Sequence, residues 1–211
     1  MKRLMTILGL SVSIAALSAG TASAAHPPTP VEDDPRYPAS EGYYWISDEL
    51  PLPAGTACSS EVRMTFLGHG RDFVNGEITA PEEFPDPVVG MRHVAQSPDL
   101  IVTVTNVATN QSVTKLVDGE FRDRVVDLGK DGVLDLRSRG IGNNVFFGAG
   151  VKGIVYASGK QKFTVDDFLG ESVLHLNKTQ GKTVELCRKI GLRAVPGSNP
   201  EPPPAAEPPV T

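Results

Sequence analysis

A long segment without proline is the feature that most constrains how this chain can fold. Pro98 and Pro196 bracket residues 99–195, and all 18 prolines of the sequence lie outside that segment. Proline has no backbone N–H to donate to a sheet, so it is excluded from the interior of hydrogen-bonded strands. The segment is therefore predicted to be mostly hydrogen-bonded sheet.

The segment opens with a strand, a turn and a second strand. Residues 99–117 are DLIVTVTNVATNQSVTKLV, in which the side chains at 100, 102 and 104 alternate with those at 101, 103 and 105. A period of two places successive side chains on opposite faces of a sheet, and β-branched side chains suit that surface. Residues 108–111 supply a polar break before the pattern resumes, which predicts a hairpin.

Short strand patterns continue on both sides of this hairpin. We predict strands at 61–67, 76–79, 88–95, 120–128, 133–138, 145–147, 151–157, 161–165, 173–176 and 183–187, with a loop at 139–144 and a turn at Ser158 and Gly159. The sequence Gly129-Lys130-Asp131-Gly132 joins two of them in a second hairpin. About ten short strands without helical periodicity predict an all-β fold, an antiparallel β-sandwich or barrel.

The composition divides the chain into four parts. A basic start, an apolar stretch over residues 4–17 and the small residues Ala22-Ser23-Ala24 predict a signal peptide at residues 1–24. Residues 25–53 form a proline-rich acidic lead-in, residues 54–196 the β-domain, and residues 197–211 a proline-rich disordered tail. We therefore expect a secreted protein, extracellular or cell-wall associated, with no transmembrane segment in the mature chain.

The lead-in contains three adjacent aromatic residues, Tyr43, Tyr44 and Trp45. They either dock onto the β-domain or form an exposed platform for a ligand. We favour docking, because large aromatic side chains bury well and Trp45 is the only tryptophan of the chain.

Charge is distributed unevenly along the sequence. Residues 25–53 contain six acidic residues and one basic residue, whereas residues 54–196 contain 17 of each. The β-domain is therefore neutral and its flank is acidic. A nucleic-acid binder would show a clustered basic excess, so we expect no nucleic-acid partner.

The two cysteines, Cys58 and Cys187, are predicted to form a disulfide, because export leads to an oxidising compartment. The bond would enclose the 128 residues from 59 to 186. Closing so long a loop stabilises a fold by roughly 4–5 kcal/mol in the chain-entropy model. A nucleophilic thiol is disfavoured, because Cys187 lies in the strand-like sequence VELCRK and not in a setting that lowers a thiol pKa.

Motifs for cofactors and metals are weak, and we expect neither. Residues 148–153 (GAGVKG) match G-x-G-x-x-G, but a strand follows them where a dinucleotide site has a helix, which indicates a bend. Asp127-x-Gly129-x-Asp131 resembles the start of an EF-hand loop, yet Ser138 stands where glutamate is needed. A hairpin turn explains these residues better than opportunistic Ca²⁺ binding does.

His69, His93 and His175 are scattered along the sequence, which also lacks the G-x-S-x-G elbow. They leave open a secreted hydrolase or isomerase whose site is assembled from dispersed His, Asp and Glu residues. Our leading hypothesis is instead an exported non-catalytic β-domain, a binding or structural module of the extracellular space or cell envelope. It names no catalytic residue, so enzymatic activity stays an open alternative.

Four arginines, Arg122, Arg124, Arg137 and Arg139, form the least ordinary feature. If the second hairpin pairs across its turn, Arg124 lies opposite Arg137 and Arg122 opposite Arg139 on one face. Like charges directly opposite each other destabilise a sheet. Either nearby Glu120 and Asp135 neutralise them, or they form an anion site for phosphate or carboxylate groups of a cell-envelope polymer.

Six pieces of the sequence carry a resemblance: GTACSSEVRM, VTVTNVATNQSVT, LGKDGVLDL, GIGNNVFFGAG, IVYASGKQKFTVD and TVELC. In this order they resemble a group of small secreted actinobacterial proteins with two cysteines and a β-domain, to which no established function is attached. The resemblance covers about residues 54–190. It implies export and a two-cysteine β-domain, and it supplies no catalytic residue.

Overall fold

The structure, a computed structural model, describes residues 29–127 and 133–199. The strands are β1 (Tyr44–Leu52), β2 (Val62–Val74), β3 (Glu77–Ile78), β4 (Arg92–Gln96), β5 (Ile101–Asn106), β6 (Ser112–Leu116), β7 (Gly119–Asp127), β8 (Leu134–Phe146), β9 (Val155–Asp166), β10 (Val173–Gln180) and β11 (Thr183–Glu185). Within the described ranges the helical segments are three short 3-10 helices, Ala39–Glu41, Pro81–Glu83 and Cys187–Ile190.

The strands form one antiparallel sheet with the order β10-β9-β8-β7-β4-β2-β5-β6. β1 and β3 also pair with β2, and β11 pairs with β9. The sheet is open, because its two ends, β10 and β6, do not pair. The prediction of an all-β antiparallel fold is confirmed, in a sandwich-like arrangement.

Strand β2 belongs to both halves of the sheet. Its residues 62–67 pair with β5, and its residues 71–74 pair with β4. Between them Gly68 has a φ of +151°, and a Cβ at this position would lie 2.6 Å from the Cα of Leu100. Only glycine therefore allows β2 to pass this close to the neighbouring segment while it changes partners.

Three apolar clusters hold the sheet together, of which the smallest contains Val74, Met91 and Val125 and the other two are larger. The largest one joins β2 and β5 to β8 and to the last 3-10 helix, and includes Val62, Met64, Val102, Val104, Val145, Ile154, Leu186 and Ile190. In the second cluster Phe121, Phe146 and Phe163 pack edge to face, with ring centroids 5.9, 5.1 and 5.3 Å apart. Full burial of a side chain of this size contributes about 1.5–3 kcal/mol, so these clusters supply much of the folding free energy.

The predicted disulfide is confirmed. Cys58 and Cys187 are bonded, their Cα atoms are 5.6 Å apart, and both residues are fully buried. Cys187 opens a 3-10 helix and does not lie in a strand as its sequence suggested. Cys58 also forms an isolated β-bridge with Ala194. The bond therefore ties the beginning of the domain to its end.

Two predicted breaks lie inside strands. β8 continues through residues 139–144, and β9 continues through Ser158 and Gly159, so the predicted loop and turn are wrong. The reason is clearest at Gly140, where a Cβ would lie 2.7 Å from Cε1 of Phe121. This glycine makes room for an aromatic ring in a continuous strand, which a sequence pattern does not distinguish from a turn.

Both flanks contribute to the fold. Within the predicted lead-in, β1 pairs with β2 from Tyr44 to Leu52. At the other end the backbone N–H of Gly197 donates to Val151 O (2.7 Å), and that of Ser198 donates to Thr56 O (2.9 Å). Residues 197–199 of the predicted tail thus pack on the domain. The predicted signal peptide and residues 200–211 lie outside the described residues.

Candidate functional site

The four arginines lie where the sequence predicted them. The register of β7 and β8 places Arg122 opposite Arg139 and Arg124 opposite Arg137. All four side chains are exposed. The turn that joins these strands, residues 128–132, lies outside the described residues. The predicted register is confirmed, whereas what the arginines bind stays a prediction.

The basic face extends beyond these four residues. Arg92 on β4 pairs with Arg124, Lys162 on β9 pairs with Arg139, and Lys178 on β10 pairs with Lys162. Lys160 follows the same alternation on β9. We name this exposed set the basic stripe: Arg92, Arg122, Arg124, Arg137, Arg139, Lys160, Lys162 and Lys178.

Four of the eight residues of the basic stripe were not predicted from the sequence. Lys160 and Lys162 alternate in GKQKFTV, so a signal for a basic strand face was present. Arg92 had no such signal, because its place in the stripe depends on β4 lying beside β7. A local sequence pattern carries no information on which non-consecutive strands pair.

Among the described residues, one arginine of the basic stripe forms an ion pair with a carboxylate. Glu120 forms an ion pair with Arg122, and this hydrogen bond raises the pKa of the guanidinium. Asp135 is fully buried and accepts a hydrogen bond from the backbone N–H of Asp167 (2.9 Å). No other member of the stripe forms an ion pair with a described carboxylate. Most of the positive charge on this face therefore lacks an ion-pair partner in the part of the chain that the structure describes.

Each of the three scattered histidines contacts a different set of aspartates. His69 Nδ1 lies 3.0 Å from Asp99 Oδ2, and His175 Nε2 lies 3.4 Å from Asp166 Oδ2. His93 lies between two aspartates of neighbouring strands. The fold thus forms three separate His–Asp groups and does not gather the histidines into one site.

His93 is the centre of a buried polar network. Its Nε2 lies 2.8 Å from Asp72 Oδ1, and its Nδ1 lies 3.2 Å from Asp123 Oδ2. The hydroxyl of Tyr44 donates to the other oxygen of Asp72. The ring of Phe84 packs edge-on against the imidazole, with centroids 5.1 Å apart. The network follows from register, because His93 and Asp123 are directly opposite each other on β4 and β7.

The charge state of His93 follows from its two partners. Burial lowers the pKa of His93, but the hydrogen bonds to Asp123 and Asp72 outweigh burial and raise the pKa from 6.5 to about 9. The side chain is therefore protonated at neutral pH, and both ring nitrogens donate. A doubly protonated imidazole has no lone pair with which to accept a proton, so His93 is poorly suited to act as a general base.

His69 anchors the lead-in to the domain. Its side chain is 2% exposed, Nδ1 lies against Asp99, and Nε2 lies 3.1 Å from the carbonyl oxygen of Glu32. The rings of Tyr37 and Trp45 lie 4.9 and 5.0 Å from the imidazole. The aromatic residues of the lead-in therefore dock onto the domain and do not form an exposed platform.

The remaining motifs do not assemble a site. Gly148, Gly150 and Gly153 lie between β8 and β9 with φ values of +96°, +88° and +80°. Of the EF-hand-like residues, Gly129 and Asp131 lie outside the described residues. Within the described ranges no group of three or more His, Cys, Asp or Glu is arranged to hold a metal ion. Nor is any described helix long and apolar enough to cross a membrane.

Comparison with known proteins supplies no family for this chain. No family model, no curated protein and no solved structure matches it. A functional proposal therefore depends on the basic stripe and on the state of the three His–Asp groups.

Proposed function

We propose that this protein is an exported non-catalytic β-domain that binds anionic groups of an extracellular or cell-envelope polymer through the basic stripe. The observation that carries the proposal is the gathering of eight exposed arginine and lysine side chains on one face of a domain with 17 basic and 17 acidic residues. Like charges on adjacent strands destabilise a sheet. A bound polyanion would remove this repulsion.

Two features support export. The sequence of residues 1–24 has the pattern of a signal peptide. Cys58 and Cys187 form a buried disulfide, and such bonds persist mainly in oxidising compartments. The resemblance to small secreted actinobacterial proteins with two cysteines belongs to the same proposal.

The binding hypothesis is tested by comparing two charge-matched double variants. Arg124→Gln with Arg137→Gln removes two charges from the centre of the basic stripe, and Lys189→Gln with Arg193→Gln removes two exposed charges elsewhere. Binding to isolated cell envelopes should weaken with salt, because exposed charges are screened over about 8–10 Å at physiological ionic strength. The stripe variant should bind roughly tenfold more weakly, since each exposed contact contributes up to about 1 kcal/mol.

The control variant should keep its affinity and its melting temperature. The melting temperature of the stripe variant should hold or rise, because repulsion between opposite like charges is relieved. Binding that does not respond to salt, or an equal loss in the two variants, would show that the basic stripe is ordinary surface.

A secreted hydrolase is the second candidate, and the position of His175 favours it. His175 is 48% exposed, contacts Asp166, and pairs with Thr164, which pairs with Arg137 of the basic stripe. An exposed histidine beside an anion site can transfer protons to a bound ligand. Release of soluble fragments from envelope polymer by the wild type, lost in His175→Gln with binding retained, would establish the hydrolase and contradict the non-catalytic proposal.

A further inference from the structure

We propose that the ligand of the basic stripe is a linear polymer with phosphate groups in its backbone, lying across strands β4, β7, β8, β9 and β10. This inference rests on the proposed function and specifies the shape and chemistry of the ligand. It follows from the arrangement of the eight side chains, which form a band and not a cluster.

Seven of the eight side chains form two parallel rows of cations, and Lys160 lies on β9 two residues beyond the second row. Arg92, Arg124 and Arg137 form one row over β4, β7 and β8. The second row lies two residues further along the strands and runs over β7 to β10: Arg122, Arg139, Lys162 and Lys178. The rows overlap on β7 and β8, where they form a square of four arginines.

The dimensions of the band match an extended chain. Neighbouring strands lie about 4.8 Å apart, so the four steps from β4 to β10 cover about 19 Å. The two rows are about 7 Å apart, because residues i and i+2 of a strand are separated by two rises of about 3.3 Å. The band therefore runs obliquely across the sheet and is about three times as long as it is wide.

Exposed charges of this kind suit a polymer better than a single anion. Every member of the basic stripe is exposed, so each contact with an isolated anion competes with water and salt. Contacts with successive charges of one chain reinforce each other, because the later ones are intramolecular and release further counterions.

Phosphate fits the double row better than carboxylate does. A backbone phosphate presents two free oxygens on opposite sides of the chain, so cations of both rows reach the same group. A carboxylate attached to one side of a chain faces one row. Five of the eight stripe residues are arginines, whose planar guanidinium forms paired hydrogen bonds to phosphate oxygens.

The middle of the same face offers no platform for nucleobases. The residues interleaved with the basic stripe on β4, β7, β8 and β9 are Val94, Glu120, Ile141 and Thr164, none of which is aromatic. Aromatic rings lie at the two edges of the stripe, where Phe73 pairs with Val94 and His175 pairs with Thr164. Proteins that bind single-stranded nucleic acids combine a basic track with aromatic rings on which bases stack. We therefore infer that the backbone charge of the ligand is recognised and that bases add nothing.

Size-fractionated linear polyphosphate tests the arrangement, with orthophosphate as the shortest probe. Affinity should rise with chain length until a chain spans about 19 Å, the width of five strands, and then level off. The double variant Arg124→Gln with Arg137→Gln removes central charges, so it should weaken the binding of chains of every length roughly tenfold. The double variant Arg92→Gln with Lys178→Gln removes the charges at the two ends of the band. It should therefore weaken the binding only of chains that are long enough to reach these ends.

The ligand chemistry is tested with two further probes of matched charge. Polyglutamate should bind more weakly than polyphosphate, and an oligothymidylate should bind no more tightly than polyphosphate. Tighter binding of the oligothymidylate would indicate a nucleic-acid partner, and orthophosphate binding as tight as that of long chains would indicate a single-anion site. Either result overturns the inference.

The inference and the proposed function can fail separately. If salt-sensitive binding of polyanions persists but the end and central variants affect all lengths equally, the linear arrangement is wrong and the proposed function stands. If no polyanion binds in a salt-sensitive way, both are wrong. The variant Lys189→Gln with Arg193→Gln serves as the control for lost charge.

Discussion

A single histidine makes the stability of this domain depend on pH. His93 carries a positive charge between Asp72 and Asp123, two carboxylates that are themselves buried. The imidazolium is the common partner of both carboxylates, and the loss of its proton would leave them without that partner. Breaking a buried group of this kind is strongly destabilising, because it leaves an uncompensated charge in the interior.

We predict that the domain is more stable at pH 6.5 than at pH 9.5. The pKa of His93 is raised from 6.5 to about 9 in the folded state. Its contribution is therefore complete below pH 6.5 and is lost as the pH rises through 9. This difference in pKa corresponds to at most roughly 3 kcal/mol, and thermal denaturation at the two pH values measures it.

Two variants separate this contribution from other titrations. His93→Gln should be less stable at pH 6.5 and should lose most of the difference between the two pH values. His175→Gln, which changes an exposed histidine, should behave as the wild type does. An unchanged pH dependence in His93→Gln would contradict the assignment.

At the scale of the strand, β8 depends on the absence of a side chain at Gly140. A Cβ at this position would lie 2.7 Å from Cε1 of Phe121 and 2.5 Å from Oε1 of Gln161. We predict that Gly140→Ala destabilises the domain by about 1–3 kcal/mol, because overpacking forces neighbouring groups to move. Urea denaturation measures the loss.

A substitution that shortens Phe121 provides the control for this prediction. Phe121→Leu shortens the side chain that approaches Gly140, so the double variant should lose less stability than the two single changes add up to. Strict additivity would show that Phe121 is not the group that requires a glycine here.

Local pattern predicted most strands and little of how they are joined. The register of β7 and β8 was predicted, because alternation and a recognisable turn determine it together. Residues 139–144 were predicted as a loop, because a sequence pattern does not distinguish a glycine that opens a turn from one that lies under an aromatic ring, as Gly140 lies under Phe121. β1 was missed because its residues follow a proline-rich acidic segment, and its order comes from pairing with β2.

The candidate site was likewise predicted in part. Four arginines of the basic stripe were found on one hairpin, whose strands are neighbours in sequence. The whole stripe was not predicted, because it forms only when β4, β9 and β10 flank that hairpin. The equal numbers of charges in residues 54–196 hid the basic face, since composition carries no information on position.

For the whole molecule, we predict that stability depends on where the chain ends at its C-terminus. Gly197 and Ser198 donate backbone hydrogen bonds to the domain, and the side chain of Asn199 accepts one from the N–H of Ala149 (3.2 Å). A chain that ends at Asn199 should keep the melting temperature of the full chain. A chain that ends at Pro196 should melt several degrees lower, since each lost hydrogen bond contributes about 1 kcal/mol.

Differential scanning calorimetry distinguishes the two truncations. The six prolines in the sequence of residues 200–211 predict that removal of this segment changes the melting temperature little. Equal melting temperatures for the two truncated chains would show that residues 197–199 add no stability.

The disulfide also determines how the domain would carry mechanical load. Cys58 and Cys187 are covalently joined, so residues 59–186 form a closed ring that contains every member of the basic stripe. A pull applied to the two ends of the chain would pass through the sulfur–sulfur bond and bypass that ring. The first parts to yield would be the lead-in with β1 and the segment after Cys187. A polymer held on β4 and β7 to β10 would remain seated while the ends of the protein are under tension.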